Sequence, residues 1–346
     1  MEHSEMSAVL VTDRLRLRPL RAEDAPAIAE GIGDWEVMRW LTAPPWPYGL
    51  ADAEWFIGDP VSDGAHAIMV CRQLAGVVHI STEGELGYWL ARSFHGRGYM
   101  TEAAAALVAR HFARGGGPLW SGYLIGNAAS CNVLTKVGFV NTEVVRRFAR
   151  PLNADVDIQR MALTAEDWAA RNPLRIETAR LVLRPHVDAE AGVLSRIGGV
   201  PEVARMLFSV NAPWPEAEVL EWLANSRWRG VPGFRMAICL PNGTLIGSLG
   251  LGGEPLSTAY FLGREYWGQG YATEAMRAFL GEAFARFGLE AVEAGAYEDN
   301  PASEAVLRKL GFEPFGSELG SSKARLEPAP IRLYRLDLAS FKAAHS

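Results

Sequence analysis

EYWGQGYATEA, residues 265–275, sets Gly268 and Gly270 two apart at the entrance to a helix-forming run. SFHGRGYMTEA, residues 93–103, repeats the arrangement with Gly96 and Gly98. Glycine reaches positive φ without steric cost and lets a ligand approach the backbone closely. In both places an apolar strand pattern precedes the glycines and an Ala/Glu-rich helical pattern follows. Such a bend points several unpaired N–H groups of the helix start one way, and the helix dipole adds about half a positive charge there. The product is a seat for phosphate or pyrophosphate. A tight turn that holds no ligand uses the same residues, but recurrence at the same place in two halves favours the seat.

The recurrence extends on both sides. TDRLRLRPL (12–20) matches TARLVLRPH (178–186), and APPWP (43–47) matches NAPWP (211–215). LGYWLARSFHGRGYMTEAA (86–104) matches TAYFLGREYWGQGYATEAM (258–276). GNAASCNVLTKVGF (126–139) matches DNPASEAVLRKLGF (299–312). Gly98 and Gly270 are 172 residues apart, Gly138 and Gly311 173. A period of that size is a duplicated domain rather than a solenoid. The domains are expected over 8–170 and 174–342, with the boundary near Asn172-Pro173 in LTAEDWAARNPLRI.

Each copy opens on an alternating strand, with Leu15 and Leu17 on one face and Arg14, Arg16 and Arg18 on the other. A helical segment, the aromatic PPWP or APWP loop and a pair of apolar strands follow. Pro241-Asn242-Gly243 marks the hairpin of the second pair. Then come strand, glycine loop, helix, strand and short helix. Long helices are expected to stop at Gly115-Gly116-Gly117 and Gly288, and short ones at Gly138 and Gly311. The order predicts an α/β (α+β) layer fold in each half.

Composition narrows the function. The chain has 346 residues, 49% hydrophobic and 21% charged, which is ordinary for a globular protein of two domains. A net charge of −6 argues against nucleic acid and leans toward cationic partners. Cys71, Cys131 and Cys239 are few and far apart, so neither a disulfide framework nor a zinc site is expected. MEHSEMSAVLV lacks the basic and apolar regions of a signal peptide, and no apolar run is long enough to span a membrane. The expectation is a cytoplasmic protein without metal or membrane partners.

The phosphate ligand can be narrowed by elimination. A dinucleotide fingerprint requires a third glycine where Thr101 and Thr273 stand. A triphosphate P-loop requires Gly-Lys, and no such pair occurs. A different phosphate-bearing group remains.

Taken in order, GYWL, G-x-G-Y-x-T-E-A and N-x-x-S-x-x-x-L-x-K-x-G-F resemble the GCN5-related N-acetyltransferase family, in particular its ribosomal-protein alanine acetyltransferase branch. The resemblance covers roughly residues 10–164 and 176–340. That family's loop begins with Gln or Arg, where this chain has Ser93 and Glu265. The resemblance implies tandem domains, each a mixed, mostly antiparallel twisted sheet flanked by helices. It implies acetyl-coenzyme A, with its pyrophosphate against His95, Gly96, Arg97, Gly98, Tyr99, Met100 and Thr101. In the second copy the matching residues are Trp267, Gly268, Gln269, Gly270, Tyr271, Ala272 and Thr273. The pantetheine arm is expected along the strands ending at Leu90 and Leu262, hydrogen-bonded to Asn127 and Asn300. The implied reaction is direct acetyl transfer to a primary amine, on a protein N-terminus, peptide or small molecule.

The chemistry needs a base at the amine and a proton for the departing thiolate. Glu85, before the GYWL strand, is either that base or an exposed strand-start glutamate. Its counterpart is Ser257, so the second copy is expected to lack it. Ser130 and Ser303 are candidates for the thiolate's proton donor, and Asn127 and Asn300 equally suit helix N-caps. Cys131 reads as packing. Tyr88, Tyr260, Tyr99 and Tyr271 suit packing more than cofactor contacts. Trp35, Trp40, Trp46 and Trp55, with Trp214 and Trp222 in the second copy, either wall an acceptor pocket or form a core under a long loop. The two domains are expected to pack as an intrachain pseudo-dimer. The competing reading is a non-catalytic acyl-coenzyme A-binding or regulatory module.

Overall fold

The computed structural model describes residues 9–62 and 64–345, and the expected domain start at residue 8 lies outside them. The chain divides into two compact units at Trp168 and Ala169. No helix among the described residues is long and apolar enough to cross a membrane.

In the first unit, β1 (Leu10–Val11), β2 (Arg16–Pro19), β3 (His66–Val70), β4 (Gln73–Ile80) and β5 (Leu86–Leu90) form one antiparallel sheet in chain order. A second sheet takes β6 (Leu119–Leu124), β7 (Val140–Ala149) and β8 (Ala154–Leu163) in the order β6-β8-β7. Helices α1 (Ala25–Ile32), α2 (Trp35–Met38) and α3 (Leu50–Gly58) cover one face. Helices α4 (Tyr99–Ala113) and α5 (Ala128–Val137) cover the other, and α6 (Ala165–Arg171) follows β8. Strand alternation decides which side chain meets which layer. Val78 packs with Leu107, Phe112 and Leu134, whereas its neighbour Val77 packs with Ile28, Met38 and Trp89. Burying a side chain of this size stabilises by about 1.5–3 kcal/mol.

The second unit repeats the plan in a single eight-stranded sheet. Its strands are β9 (Ile176–Glu177), β10 (Val182–Pro185), β11 (Phe234–Cys239), β12 (Leu245–Gly252), β13 (Ser257–Leu262), β14 (Ala291–Tyr297), β15 (Glu313–Gly320) and β16 (Ala329–Asp337). They lie in the order β15-β16-β14-β13-β12-β11-β10-β9, and only β13 and β14 run parallel. Helices α7 (Ala191–Gly198), α8 (Pro201–Ala204) and α9 (Glu216–Asn225) take the roles of α1 to α3. Next come α10 (Tyr271–Phe287) and α11 (Pro301–Lys309), with α12 (Leu338–Ala343) after β16. The expected hairpin forms at Asn242-Gly243, where Gly243 has φ 88°. Both halves therefore have the mixed, mostly antiparallel architecture expected from the sequence.

Candidate active site

Both units leave a strand edge open at the same place. β5 meets β6 through one parallel bridge, Glu85 to Trp120, and β13 meets β14 through Ser257 and Glu293. Beyond the bridge the strands part. Ser121 Oγ still donates to the Leu86 carbonyl at 2.8 Å, after which a cleft of about 670 Å³ opens beside Tyr88 and Leu90. The second unit has a cleft of about 530 Å³ beside Tyr260 and Leu262. An unpaired strand edge facing a cleft can accept an extended ligand as an added strand.

The glycine loop closes one end of each cleft. Gly96, Gly98, Gly268 and Gly270 have φ of 74°, 77°, 73° and 78°, where any other residue would be strained. Gly98 and Gly270 cap α4 and α10, so first-turn N–H groups at Tyr99 to Thr101 and Tyr271 to Thr273 have no partner in their own helix. Gly96, Gly98, Tyr99, Met100 and Thr101 line the first cleft, and Gly268, Gly270, Tyr271, Ala272 and Thr273 the second. His95 and Trp267 line them too. Arg97 and Gln269 do not border either cleft. Their carbonyls accept from Arg14 and Arg180, each at 3.0 Å.

Those arginines belong to a support that sequence reasoning missed. Arg14 Nε donates to Glu102 Oε2 at 2.7 Å, the Arg14 N–H donates to Glu102 Oε1 at 3.0 Å, and Thr12 Oγ1 donates to the same carboxylate. The Arg14 guanidinium also lies 5.0 Å from the Tyr99 ring centroid. Arg180, Glu274, Thr178 and Tyr271 repeat every contact. Burial opposes ionisation of Glu102 and Glu274, but the Thr and Arg hydrogen bonds outweigh it and hold both carboxyls below the ordinary range. The signal was present in the repeat, as Thr-x-Arg in the turn between the first two strands of each unit and Thr-Glu after the glycines.

Beside the open edge, the Tyr88 hydroxyl lies 2.8 Å from Ser130 Oγ, and the Tyr260 hydroxyl 3.0 Å from Ser303 Oγ. Burial raises both phenols, Tyr88 well above its ordinary value and Tyr260 to about 12, so each stays protonated near neutrality. Asn127 Oδ1 and Asn300 Oδ1 accept from the Ser130 and Ser303 N–H groups at 3.1 Å, as N-caps of α5 and α11. The cap does not use the amide nitrogens, and Asn127, Ser130, Asn300 and Ser303 all line their clefts.

The far end of the first cleft carries Glu85, Trp40, Trp120, Arg147 and Arg160. Arg160 and Arg147 lie 4.8 and 5.8 Å from the Trp120 ring centroid. Burial pushes the Glu85 carboxyl up, and the two arginines restrain the rise. In the second unit the bridge partners are exchanged in kind: Ser257 stands at the Glu85 position, and Glu293 faces Arg335 at 3.7 Å instead of the cleft. Asp299 is the one carboxylate lining that cleft among the described residues, and it is ion-paired to Arg205 and Arg325. Of the six tryptophans expected either to wall an acceptor pocket or to form a core, Trp40 and Trp222 border clefts. Trp35 and Trp46 meet at a tilt of 54° with ring centroids 4.9 Å apart, Trp55 is exposed, and Trp214 is buried in the core.

Comparison with known proteins follows the same division. The acetyltransferase (GNAT) domain profile matches residues 14–140 and again residues 180–313. The chain is similar to FsC-acetyl coenzyme A-N(2)-transacetylase of Aspergillus fumigatus, 27% identical over 175 residues, or 45% of this chain and 74% of that protein. It is 25% identical over 168 residues to the uncharacterized N-acetyltransferase p20 of Bacillus licheniformis, covering 46% of this chain and 93% of that one. Among solved structures, a GNAT-family acetyltransferase from Bacillus anthracis covers 45% of this chain and 98% of its own, with 19% identity and a TM-score of 0.42.

Proposed function

Because the chain belongs, in both halves, to the acetyltransferase (GNAT) domain family, we propose that it transfers an acetyl group from acetyl-coenzyme A directly to a primary amine. The observation that carries this reading is the open edge of β5, which ends on a glycine seat for an anion and runs past Ser130 and Tyr88. A long ligand with a pyrophosphate at one end fits that shape, and β13 offers the same arrangement. The order of motifs further supports the ribosomal-protein alanine acetyltransferase branch, in which the amine is a protein N-terminus. Small amines fit the same scaffold.

Acetyl-coenzyme A would supply the activated acyl group as a thioester. The pyrophosphate would sit on the N–H groups that follow Gly96 and Gly98, and the pantetheine amides would pair with β5 and with the Asn127 amide nitrogen. In the first unit Glu85 takes the proton that leaves the amine, and its raised pKa makes it the stronger base. Ser130 delivers a proton to the departing sulfur and draws on the Tyr88 hydroxyl at 2.8 Å. Glu85 makes the first unit our first choice for full catalysis. The second has no equivalent free carboxylate among the described residues lining its cleft, and is either a second active site or a partner that binds cofactor.

Titration of the full chain with acetyl-coenzyme A by calorimetry tests the reading. Two sites per chain are expected, falling to one when Gly98 or Gly270 is replaced by valine. No heat from a folded chain would overturn it. Binding without acetylation of any amine would leave the regulatory module instead.

A further inference from the structure

The second cleft contains a cation, Arg235, at a sheet position where the first has none. Arg235 is the second residue of β11 and pairs with Gly250 of β12, which pairs in turn with Ala259 of β13. Its side chain crosses Gly250 so closely that a Cβ there would lie 2.5 Å from Arg235 Cγ. Glycine at 250 therefore makes room for the arginine, whose side chain lines the cleft with Ala259 and Trp222. The guanidinium sits 5.0 Å from the Trp222 ring centroid. It has no carboxylate partner among the described residues, since Asp299 is taken by Arg205 and Arg325. Burial pushes its pKa down to about 10. A buried cation without a counter-charge is costly, and stacking on an aromatic ring compensates only in part.

Sheet register shows that the first unit is built differently here. Val78 opposite Tyr88 corresponds to Leu249 opposite Tyr260, so His79 stands where Gly250 does. The His79 ring lies over Gly87, 2.4 Å from where a Cβ would be, and burial keeps it neutral-leaning. Ala65, fully inside the fold, occupies the Arg235 position. A cation at this position in the sheet is therefore particular to the second cleft, while the first carries Arg147 and Arg160 beside Glu85 instead.

Its place along the strand indicates what it meets. Ala259 is three residues from Leu262, so Arg235 stands roughly 10 Å before the end of β13 that leads to the glycine seat. It faces the side of the sheet where α9 supplies Trp222, opposite the side where Tyr260 reaches Ser303. We propose that Arg235 binds a carboxylate at the acyl end of the second cleft, which makes that half selective for an acidic substrate. This rests on the acetyltransferase reading and names its substrate class. The carboxylate is carried either by the amine acceptor or by the acyl group of the thioester.

The test uses the full chain, Arg235→Met and Arg235→Lys. One arm compares acetylation of α-amino acids with their α-amides under acetyl-coenzyme A in a Glu85→Gln background, which silences the first unit so that the second is read alone. The other compares binding of succinyl- and acetyl-coenzyme A by calorimetry. Loss of a charge-assisted hydrogen bond predicts at least a tenfold fall in preference for the acid in one arm with methionine, and partial retention with lysine. The arm that responds identifies which substrate carries the carboxylate. Acetyl-coenzyme A binding by the same variants sets the baseline against which both arms are read. Wild-type preferences that are absent, or that survive Arg235→Met in both arms, would overturn the inference. If the wild-type chain bound neither thioester, the acetyltransferase reading itself would fail, a distinct result.

Discussion

His95 Nε2 lies 2.9 Å from the Leu90 carbonyl oxygen, and in the other half Trp267 Nε1 donates to the Leu262 carbonyl at the same distance. Imidazole and indole look unrelated, yet each offers one ring N–H to the last carbonyl of the strand that feeds the glycine loop. The common role is to pin the loop to the strand end. His95→Trp is expected to keep acetyl-coenzyme A affinity within about twofold. His95→Ala, which removes the bond, is expected to weaken it about threefold to tenfold. Calorimetry on both variants checks this. Equal losses would show that the imidazole meets the ligand itself.

Arg14 and Glu102 hold the same loop from its other side. Glu102→Gln leaves the Arg14 guanidinium without its charged partner and frees the Arg97 carbonyl to drift. A weakening of acetyl-coenzyme A binding of about tenfold is expected, with the chain still folded, because both groups are solvent-accessible. Glu274→Gln should act likewise on the second site alone. A two-site titration separates the two, and an unchanged isotherm would limit the support to a structural role.

These relationships mark how far the sequence could be read. The tandem halves, the glycine loops and the caps at Asn127 and Asn300 are local patterns that occur twice, so period and spacing expose them. The Arg14–Glu102 support joins residues 88 apart and Tyr88–Ser130 joins residues 42 apart, and only the fold brings those together. Glu85 was legible as a candidate. Its proximity to Arg147 and Arg160 was not, because strands β7 and β8 had to be placed first. Arg235 was invisible for the opposite reason: it occurs once, and comparison of the copies passes over it.

Glu190 gives the second unit a pH-dependent weakness. Burial opposes its ionisation, but His186, Arg184 and the Val187 N–H hydrogen-bond to it and hold its pKa down at about 2. A depressed carboxyl stabilises above its unfolded pKa near 4.5, and that stability is lost as pH falls toward 2. The contribution is on the order of 3 kcal/mol. Thermal melts from pH 5 to pH 3 should therefore fall more steeply for the wild type than for Glu190→Gln. Parallel slopes would show that the cluster does not govern acid stability.

Tyr88→Phe separates proton supply from binding. The phenol stays protonated well above neutrality and touches Ser130 Oγ. Removing it should lower kcat about tenfold or more while KM for acetyl-coenzyme A changes little, and Ser130→Ala should act in the same direction. The double variant should lose little beyond the larger single loss, because the two groups act as one relay. Additive losses would separate their roles.

The base assignment has the sharpest consequence for pH. Burial raises the Glu85 carboxyl, so the acid limb of kcat/KM should fall above the ordinary glutamate range. Arg147 and Arg160 restrain that rise, which fixes the sign of two further experiments. Arg147→Gln removes a cation that favours the carboxylate, and the limb should move to higher pH. Arg160→Gln should move it the same way. Glu85→Gln should remove this acid limb and lower kcat/KM at neutral pH about 100-fold. If the limb persists unchanged in Glu85→Gln, another group or a water accepts the proton. Glu85 would then be a half-buried strand-start residue at the cleft with no part in proton transfer, and the two halves would stand equal in their chemistry.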